Sequence, residues 1–506
     1  MAGLVREIVA AALFGTSPSA SGFTLAFQIP NLVANLFANA ALSAAFVPVF
    51  ADLIRQGKRR EAFELASSLL WIMLIALAAI TAFFILLAGV IMPLFLASKL
   101  SGVPGITSLT VLLSQILFPV VLLLGLTSLF TGILQSFERF TMAAVAPAIW
   151  NLVIIALTLY LHPTYSHSHH GIEAYAIAIL AATVVQMLLV MGALARIDFR
   201  LSFHIDWRNP RVRQVFALML PVTIGLGIVN LDQLINSAFG GLVGAQVPRA
   251  IDQAFRIYML PQGIFSVAVA TVLFPALSRM AAQRDPIGMR RSLSIGMRQI
   301  NLLLIPSAAF LMVLATPIVR LVYQHGQFNS YSTHLTSTAL IWFAASLPFG
   351  GLNLLLTRTF FALQRPWIPT GLAALNMTID IIVSIGFYKP FGISGLILGT
   401  LAGNVVMTVL LLRRLRTGFD GRLDGAQTLM ITARVVVAST LLAFVSWLVW
   451  RILYDILGGS VPAQIVAVGG AAAAGGWLYL KTVLRMNIPE AFQVEQMLLG
   501  RFRRSG

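Results

Sequence analysis

Apolar runs of twenty or more residues recur along this chain from one end to the other. A run of that length, wound as a helix rising 1.5 Å per residue, can cross the roughly 30 Å hydrocarbon layer of a bilayer. Only 10% of the 506 residues are charged, whereas soluble domains carry about 25%. The sequence therefore predicts an all-α, polytopic membrane protein and argues against a soluble enzyme.

Charged residues, glycines and prolines divide the apolar runs into about 14 predicted transmembrane helices. The predicted ranges are 1–14, 22–52, 64–97, 108–135, 140–162, 172–196, 210–240, 247–280, 292–322, 331–364, 367–388, 392–415, 429–455 and 461–483. The first helix would be only about 21 Å long at the helical rise per residue. We therefore expect this helix to be truncated at its start.

The formal net charge is +17, and the basic residues are distributed in accordance with the predicted topology. Basic residues concentrate in alternate loops, such as 55–60, 196–213 and 279–298, and the loops between them hold few. Because basic loops face the cytoplasm in membrane proteins, we expect both termini to be cytoplasmic. We expect no nucleic-acid partner, since no soluble segment is long enough to form a basic binding face.

An internal repeat relates the two halves of the chain. The segment ending at Asn151 is similar to the one ending at Asn376, and Gly171-Ile172 has a counterpart in Gly392-Ile393. Six predicted helices fit between a residue of the first half and its counterpart in the second. Because six is an even number, both halves have the same orientation in the membrane. We predict two pseudo-symmetric six-helix lobes and two C-terminal helices. The predicted limits are 1–205 for helices 1–6, 206–425 for helices 7–12, and 426–506 for helices 13–14 with a basic cytoplasmic tail.

Ionisable side chains inside the predicted helices mark candidate sites, because each costs about 2.5–3.5 kcal/mol at the bilayer centre on insertion scales. Arg249, Asp252 and Arg256 have the spacing of one face of helix 8, and Arg6 lies in helix 1. Guanidinium groups bind phosphate oxygens bidentately and stay charged when buried. These arginines therefore suit a phosphate or diphosphate. The alternative is an intramembrane Arg–Asp pair that only joins helices.

Oxygen-bearing side chains on predicted helices 7 and 11 indicate a cation site. Asn376 and Asp380 are one turn apart on helix 11, Asp232 lies on helix 7, and Thr400 offers a further hydroxyl. A small hard cation needs several oxygen ligands, including a carboxylate. An interhelical hydrogen-bond cluster is the alternative. No cytoplasmic segment carries a nucleophile motif or a glycine-rich phosphate loop, so we expect a transporter and not an enzyme.

Three segments carry a resemblance to a known family: GLVREIVAAALFG near the start, the run at 26–53, and FRIYMLPQGIFSVAVATVLFPALSRM at 255–280. They resemble the MurJ (MviN) lipid II flippases, of the multidrug/oligosaccharidyl-lipid/polysaccharide exporter superfamily. The resemblance covers essentially all the helices. It implies a flippase that moves lipid II, the undecaprenyl-diphosphate-linked peptidoglycan precursor, from the cytoplasmic to the outer leaflet. It also implies alternating access, an Arg-lined central cavity and a bacterial cytoplasmic (inner) membrane.

The resemblance also implies roles for particular residues. Family arginines match Arg6 and Arg256, and together with Arg249, Asn35 and Asn39 of this chain they are the candidate substrate-binding residues. A possible sodium site comprises Asp232, Asn376, Asp380 and Thr400. We expect no obligatory cofactor beyond this possible sodium ion. The expected partners are lipid II or a related polyprenyl diphosphate glycolipid together with membrane lipids, and no oligomer is required.

The chain departs from the family pattern at several charged positions. Ser21 stands where the family has an acidic residue in its T-D-A-F run, Ala34 and Asn35 replace arginines, and Asn39 replaces the acid of F-A-E-G. The expected cavity is therefore less charged than in the family. A flippase or exporter of another polyprenyl-linked glycan or of a drug is the alternative function. A membrane-embedded glycan-modifying enzyme is a third hypothesis.

Overall fold

The computed structural model describes residues 2–35, 40–165, 171–197, 202–203, 205–418 and 424–491. These residues form helices and connecting turns, with no strand among them. Every predicted helix has a helical counterpart there. The predicted all-helical fold is therefore confirmed.

The first of two compact units comprises residues 1–249 with 325–328. Its helices are α1 (Ala2–Phe14), α2 (Pro18–Ala34), α3 (Ala40–Arg55), α4 (Arg59–Phe95), α5 (Ser98–Ser101), α6 (Ile106–Leu117), α7 (Pro119–Ser136), α8 (Thr141–Tyr165), α9 (Gly171–Leu194) and α10 (Pro210–Val243). The α6–α7 pair forms one span that is interrupted at Pro119, because proline lacks the backbone N–H that the helix needs there.

The second unit comprises residues 250–324 and 329–506. The remaining helices are α11 (Val247–Pro261), α12 (Val267–Ala282), α13 (Pro286–Val313), α14 (Ala315–Tyr323), α15 (Ser330–Ala362), α16 (Trp367–Phe391), α17 (Ile393–Gly418), α18 (Gly425–Leu457) and α19 (Val461–Arg485). A π-helical turn at Gln262–Ser266 joins α11 to α12. Such turns are typical of functional sites and of bends in helices.

Eleven spans in the described part of the chain are long and apolar enough to cross a membrane. They include the combined α6–α7 span, Ile106–Ser136, and the combined α11–α12 span, Val247–Ala282. The predicted helices at 1–14, 22–52 and 210–240 are outside this set, and they correspond to α1, to α2 with α3, and to α10. The chain is a multi-pass membrane protein.

The predicted lobe limits at residues 205 and 425 stay predictions. The compact units reflect packing density, whereas the lobes were defined by the repeat. In the first unit, α10 packs against α2, α3 and α5. The first unit therefore extends through α10 to Arg249.

The last two helices are attached to the second unit by specific contacts. α18 packs against both α19 and α13, with Leu302 and Val435 in a shared apolar cluster. The Tyr479 hydroxyl on α19 donates a 2.6 Å hydrogen bond to the Leu302 carbonyl. Beyond α19, Glu490 forms a buried 2.9 Å ion pair with Arg298 of α13. Apolar packing and paired polar groups thus fix α18 and α19 against α13.

Glycines let α16 and α17 approach closely. A Cβ added at Gly399 would overlap the Asp380 carboxylate, and one at Gly403 would overlap the Asn376 amide oxygen. Small residues are common where membrane helices pack with their backbones close together. The two glycines therefore create the space that Asp380 and Asn376 occupy beside α17.

Candidate functional site

Two of the predicted substrate-binding arginines share one carboxylate in the first unit. Arg6 Nη2 lies 2.6 Å from Glu7 Oε1, and Arg249 Nη2 lies 3.2 Å from Glu7 Oε2. Glu7 and Arg249 are each 3% exposed, and Arg6 is 8% exposed. A buried charge is costly unless it is paired. Glu7 therefore allows α1 and the start of α11 to hold two guanidiniums, and this buried group of three carries one net positive charge.

Neighbouring helices hold this buried group in position. The Arg6 guanidinium lies 4.9 Å from the centre of the Trp150 ring on α8, within the range of a cation–π interaction. Trp150 Nε1 donates to the Thr183 hydroxyl on α9 at 3.0 Å. The Ser21 hydroxyl on α2 accepts the backbone N–H of Arg249 at 3.4 Å. Helices α2, α8 and α9 of the first unit thus orient the two arginines.

The third predicted arginine, Arg256, pairs along its own helix in the second unit. Arg256 Nε donates to Asp252 Oδ2 at 3.0 Å, and Arg256 Nη2 donates to Oδ1 at 3.4 Å. The four-residue spacing places the two side chains one turn apart. This pair lies within α11, whereas the alternative that we considered was an Arg–Asp pair that joins helices. The Arg256 side chain remains 30% exposed, so part of it is accessible.

The structure describes only one of the two predicted substrate-binding asparagines. Asn35 follows α2, and its backbone N–H donates to the carbonyl oxygens of Asn31 and Leu32. Its side chain is half-buried. Asn39 lies outside the described residues.

The other two predicted cation-binding residues of the second unit lie near Asp380. Asp380 is 3% exposed, and its Oδ2 accepts a 3.0 Å hydrogen bond from the Thr400 hydroxyl of α17. The Ser384 hydroxyl, one turn along α16, lies 3.0 Å from Asp380 Oδ1. Asn376, one turn earlier, donates to Asn404 Oδ1 at 3.4 Å. Asn376, Asp380 and Thr400 therefore lie along the same contact between α16 and α17.

Hydrogen bonds extend from this cluster to α15. Asn353 Nδ2 donates to Asn404 Oδ1 at 3.1 Å, and the Thr408 hydroxyl donates to Asn353 Oδ1 at 2.8 Å. The interhelical hydrogen bonds that we considered as an alternative are therefore present. They hold carboxylate, hydroxyl and amide oxygens near one another, which is the donor set that a hard cation uses.

Asp232, the fourth predicted cation ligand, lies on α10 of the first unit. Its backbone carbonyl accepts a hydrogen bond from Asn236 Nδ2 at 3.1 Å. Its part in a cation site stays a sequence prediction. Among the described residues, no group of three or more His, Cys, Asp or Glu side chains could hold a metal ion.

Sequence reasoning missed several residues of these clusters. Glu7 was visible as an intramembrane charge, but its spacing gave no sign of a partner 242 residues away. No sequence pattern indicated a role for Trp150, because its contact with Arg6 is between two helices that are far apart in the sequence, α1 and α8. Ser384 was the easiest to find, since it lies four residues after Asp380 and such residues face the same side of a helix.

Comparison with known proteins gives the family. The family model described as "Lipid II flippase MurJ" matches residues 10–464. The "Probable lipid II flippase MurJ" of Rhizobium meliloti is 30% identical over 457 residues, which cover 88% of this chain and 84% of the relative. The "Lipid II flippase MurJ" of Burkholderia cenocepacia is 29% identical over 419 residues, covering 82% of this chain and 80% of the relative.

Solved structures agree on the fold. "Lipid II flippase MurJ, inward closed conformation" matches with a TM-score of 0.76 at 22% identity, covering 95% of each chain. An inward-facing multidrug resistance MATE family transporter of the MOP superfamily matches with a TM-score of 0.71 at 16% identity, covering 84% of this chain and 95% of that one. The fold is that of membrane transporters, and the sequence match over most of the chain shows that it belongs to the MurJ lipid II flippase family.

Proposed function

We propose that this chain is a flippase that moves lipid II from the cytoplasmic to the outer leaflet of a bacterial cytoplasmic membrane. The observation that carries the proposal is the buried group of Arg6, Glu7 and Arg249 in a chain of this family. The group holds one surplus positive charge among apolar helices. A diphosphate is the anionic part of lipid II, and guanidinium groups bind such oxygens strongly.

The physical task of a flippase is to lower a desolvation barrier. An ionised group that leaves water for hydrocarbon without a partner carries a very large cost. Arginines in an Arg-lined cavity replace part of that lost hydration, and they remain charged at any depth. In this proposal Glu7 and Asp252 neutralise arginines when no substrate is bound, and the diphosphate then competes with these carboxylates.

Alternating access is the second part of the proposal. Solved transporters that share this fold are described in inward-facing and outward-facing conformations. The interruptions at Pro119 and at Gln262–Ser266 supply points where spans can bend, since sharp bends in helices arise at prolines and π-helical turns. The predicted orientation, with both termini in the cytoplasm, belongs to the same proposal.

Sodium coupling is the third part. Asp380, Thr400 and the neighbouring Asn376 supply a carboxylate, a hydroxyl and an amide oxygen, which suit a small hard cation. A bound sodium ion would supply positive charge beside Asp380. A gradient of sodium or the membrane potential, at about 2.3 kcal/mol per charge per 100 mV, would then give transport its direction.

Complementation tests the proposed function. The chain is expressed in a bacterium whose own lipid II flippase can be depleted, and we expect it to support growth. Arg6→Ala should fail, because Glu7 would then face Arg249 alone and the surplus charge would be lost. Arg60→Ala is the matched control, since its side chain is 93% exposed. Absence of growth while the wild-type chain is present in the membrane would overturn the proposal.

A reconstituted assay separates the flippase from an embedded enzyme. Proteoliposomes containing the purified chain and lipid II on one side are sampled over time for headgroups on the other side. We expect translocation with a chemically unchanged headgroup. A modified headgroup would support the enzyme hypothesis, and translocation of other polyprenyl-linked glycans in preference to lipid II would support the alternative substrate.

A further inference from the structure

A neutral polar cavity of about 180 Å³ lies between α7, α8 and α9 of the first unit. Its polar lining residues are Thr127, Ser128, Thr131 and Gln186. The other lining residues are Leu124, Met142, Ala143, Ala146 and Pro147. None of these side chains is charged. Since about 10–15 Å³ is enough for one water molecule, the cavity has room for a group of many non-hydrogen atoms.

Two of the polar groups are available for a ligand. The Gln186 amide and the Thr131 hydroxyl have no hydrogen-bond partner within the described parts of the chain, and both line the cavity. By contrast, the Thr127 hydroxyl already donates to the Leu123 carbonyl at 2.7 Å. Both residues are half-buried, so their polar groups are accessible to water or to a ligand that both donates and accepts hydrogen bonds.

The cavity lies one helical turn from the residues that hold Arg6. On α8, Trp150 follows the lining residue Pro147 by three positions, and its ring contacts the Arg6 guanidinium. On α9, Thr183 accepts from Trp150 and precedes the lining residue Gln186 by three positions. Residues three apart share a helix face, and one turn rises about 5.4 Å. On both α8 and α9, the cavity lining is therefore one helical turn from the residues that hold Arg6.

The cavity also lies toward the predicted cytoplasmic side. Thr131 is five residues before the end of α7, or about 7.5 Å along the helix, and the turn after α7 carries Arg139. α9 ends at Leu194, close to Arg196. Basic loops face the cytoplasm. A lipid-linked substrate that arrives from the cytoplasm would therefore reach this end of the helices first.

We propose that this cavity binds the uncharged carbohydrate ring attached to the diphosphate of the transported lipid. Hydroxyl and acetamido groups of a sugar donate and accept hydrogen bonds, as Gln186 and Thr131 require. An acyl chain would leave both groups unpaired, and a charged group would find no counter-charge in the lining. The inference rests on the proposed function, because it needs a diphosphate-linked glycan at Arg6.

Two lipids that differ only in the sugar test this assignment. Undecaprenyl diphosphate and the same lipid bearing one N-acetylhexosamine, without peptide, are bound to the full chain in nanodiscs. Gln186→Leu should raise the Kd of the sugar-bearing lipid about tenfold, because two hydrogen bonds to the ring are lost. Its Kd for undecaprenyl diphosphate should change by less than about twofold. Thr131→Val should show the same selectivity with about a threefold effect.

The matched control is Gln115→Leu on α6. This glutamine belongs to the same unit, but its amide already donates to the Ile85 carbonyl and does not line the cavity. It should leave the ratio of the two dissociation constants unchanged. Equal weakening of both lipids, or no weakening, in Gln186→Leu and Thr131→Val would show that the cavity holds only water and overturn the assignment. Wild-type protein that binds neither lipid would instead refute the proposed function.

Discussion

Replacing Glu7 by glutamine should destabilise the first unit strongly, because this one carboxylate compensates two buried guanidiniums. Two unit charges at the observed 2.6 and 3.2 Å separations attract by about 5–6 kcal/mol each at an effective dielectric constant of 20. The desolvation of the three groups offsets much of this attraction. We therefore expect Glu7→Gln to lower the free energy of unfolding by about 3–5 kcal/mol.

A double-mutant cycle measures the interaction between Glu7 and Arg249. Arg249→Gln should cost less than Glu7→Gln, because it leaves the Arg6–Glu7 ion pair intact. The double variant should be more stable than the sum of the two losses predicts, by about 1–3 kcal/mol, because Arg249→Gln also removes one of the two guanidiniums that have lost Glu7. Titration of the purified chain with a denaturing detergent measures each free energy.

The control for this cycle is Glu61→Gln. Glu61 is 57% exposed and lies 3.5 Å from Lys58. Glu61→Gln should therefore lower the free energy of unfolding by less than about 1 kcal/mol. Two results would refute the reasoning. One is a Glu7→Gln variant as stable as the wild type, and the other is a double variant whose loss equals the sum of the single losses.

Three further predictions test the other clusters. Arg256→Ala should abolish lipid II translocation in proteoliposomes while the protein still reaches the membrane, and near-normal transport would exclude its role in binding. Asp380→Asn should remove any sodium dependence of transport, measured as the rate with sodium against the rate with potassium; a retained sodium response would refute the ion site. Gly403→Ala should destabilise the chain by about 1–3 kcal/mol through overpacking against Asn376, whereas Gly371→Ala should be tolerated, since a Cβ added there would meet no atom within 4 Å. Equal stability of the two glycine variants would contradict the close packing of α16 and α17.

Much of the membrane architecture was predictable from the sequence. The helices follow from apolar runs whose lengths match the bilayer, and both run length and charge are local properties of the chain. The same reasoning singled out Arg6 and Arg249, since a charge inside an apolar run is conspicuous wherever the helix packs. The segments that resemble the family are likewise contiguous, so the family could be recognised before any helix was placed.

Partner choice was decided only by the tertiary structure. Glu7 pairs with Arg249 across 242 positions, and Asp380 meets Thr400 because Gly399 leaves room for its carboxylate. Neither contact has a spacing that a sequence pattern would reveal. Which side chains meet depends on the distances between helices, and those distances depend on the packing of side chains from several helices at once.

The polar cavity likewise depends on the tertiary structure and could not be predicted from the sequence. Thr131 and Gln186 are unremarkable in the sequence, because hydroxyls and amides occur singly along many membrane helices. Their significance arises when α7, α8 and α9 line a common cavity one turn from Trp150. The sequence by itself determined a multi-pass transporter with buried arginines, since hydrophobicity and charge act residue by residue. The tertiary structure decided which groups converge, because convergence is a property of packed helices.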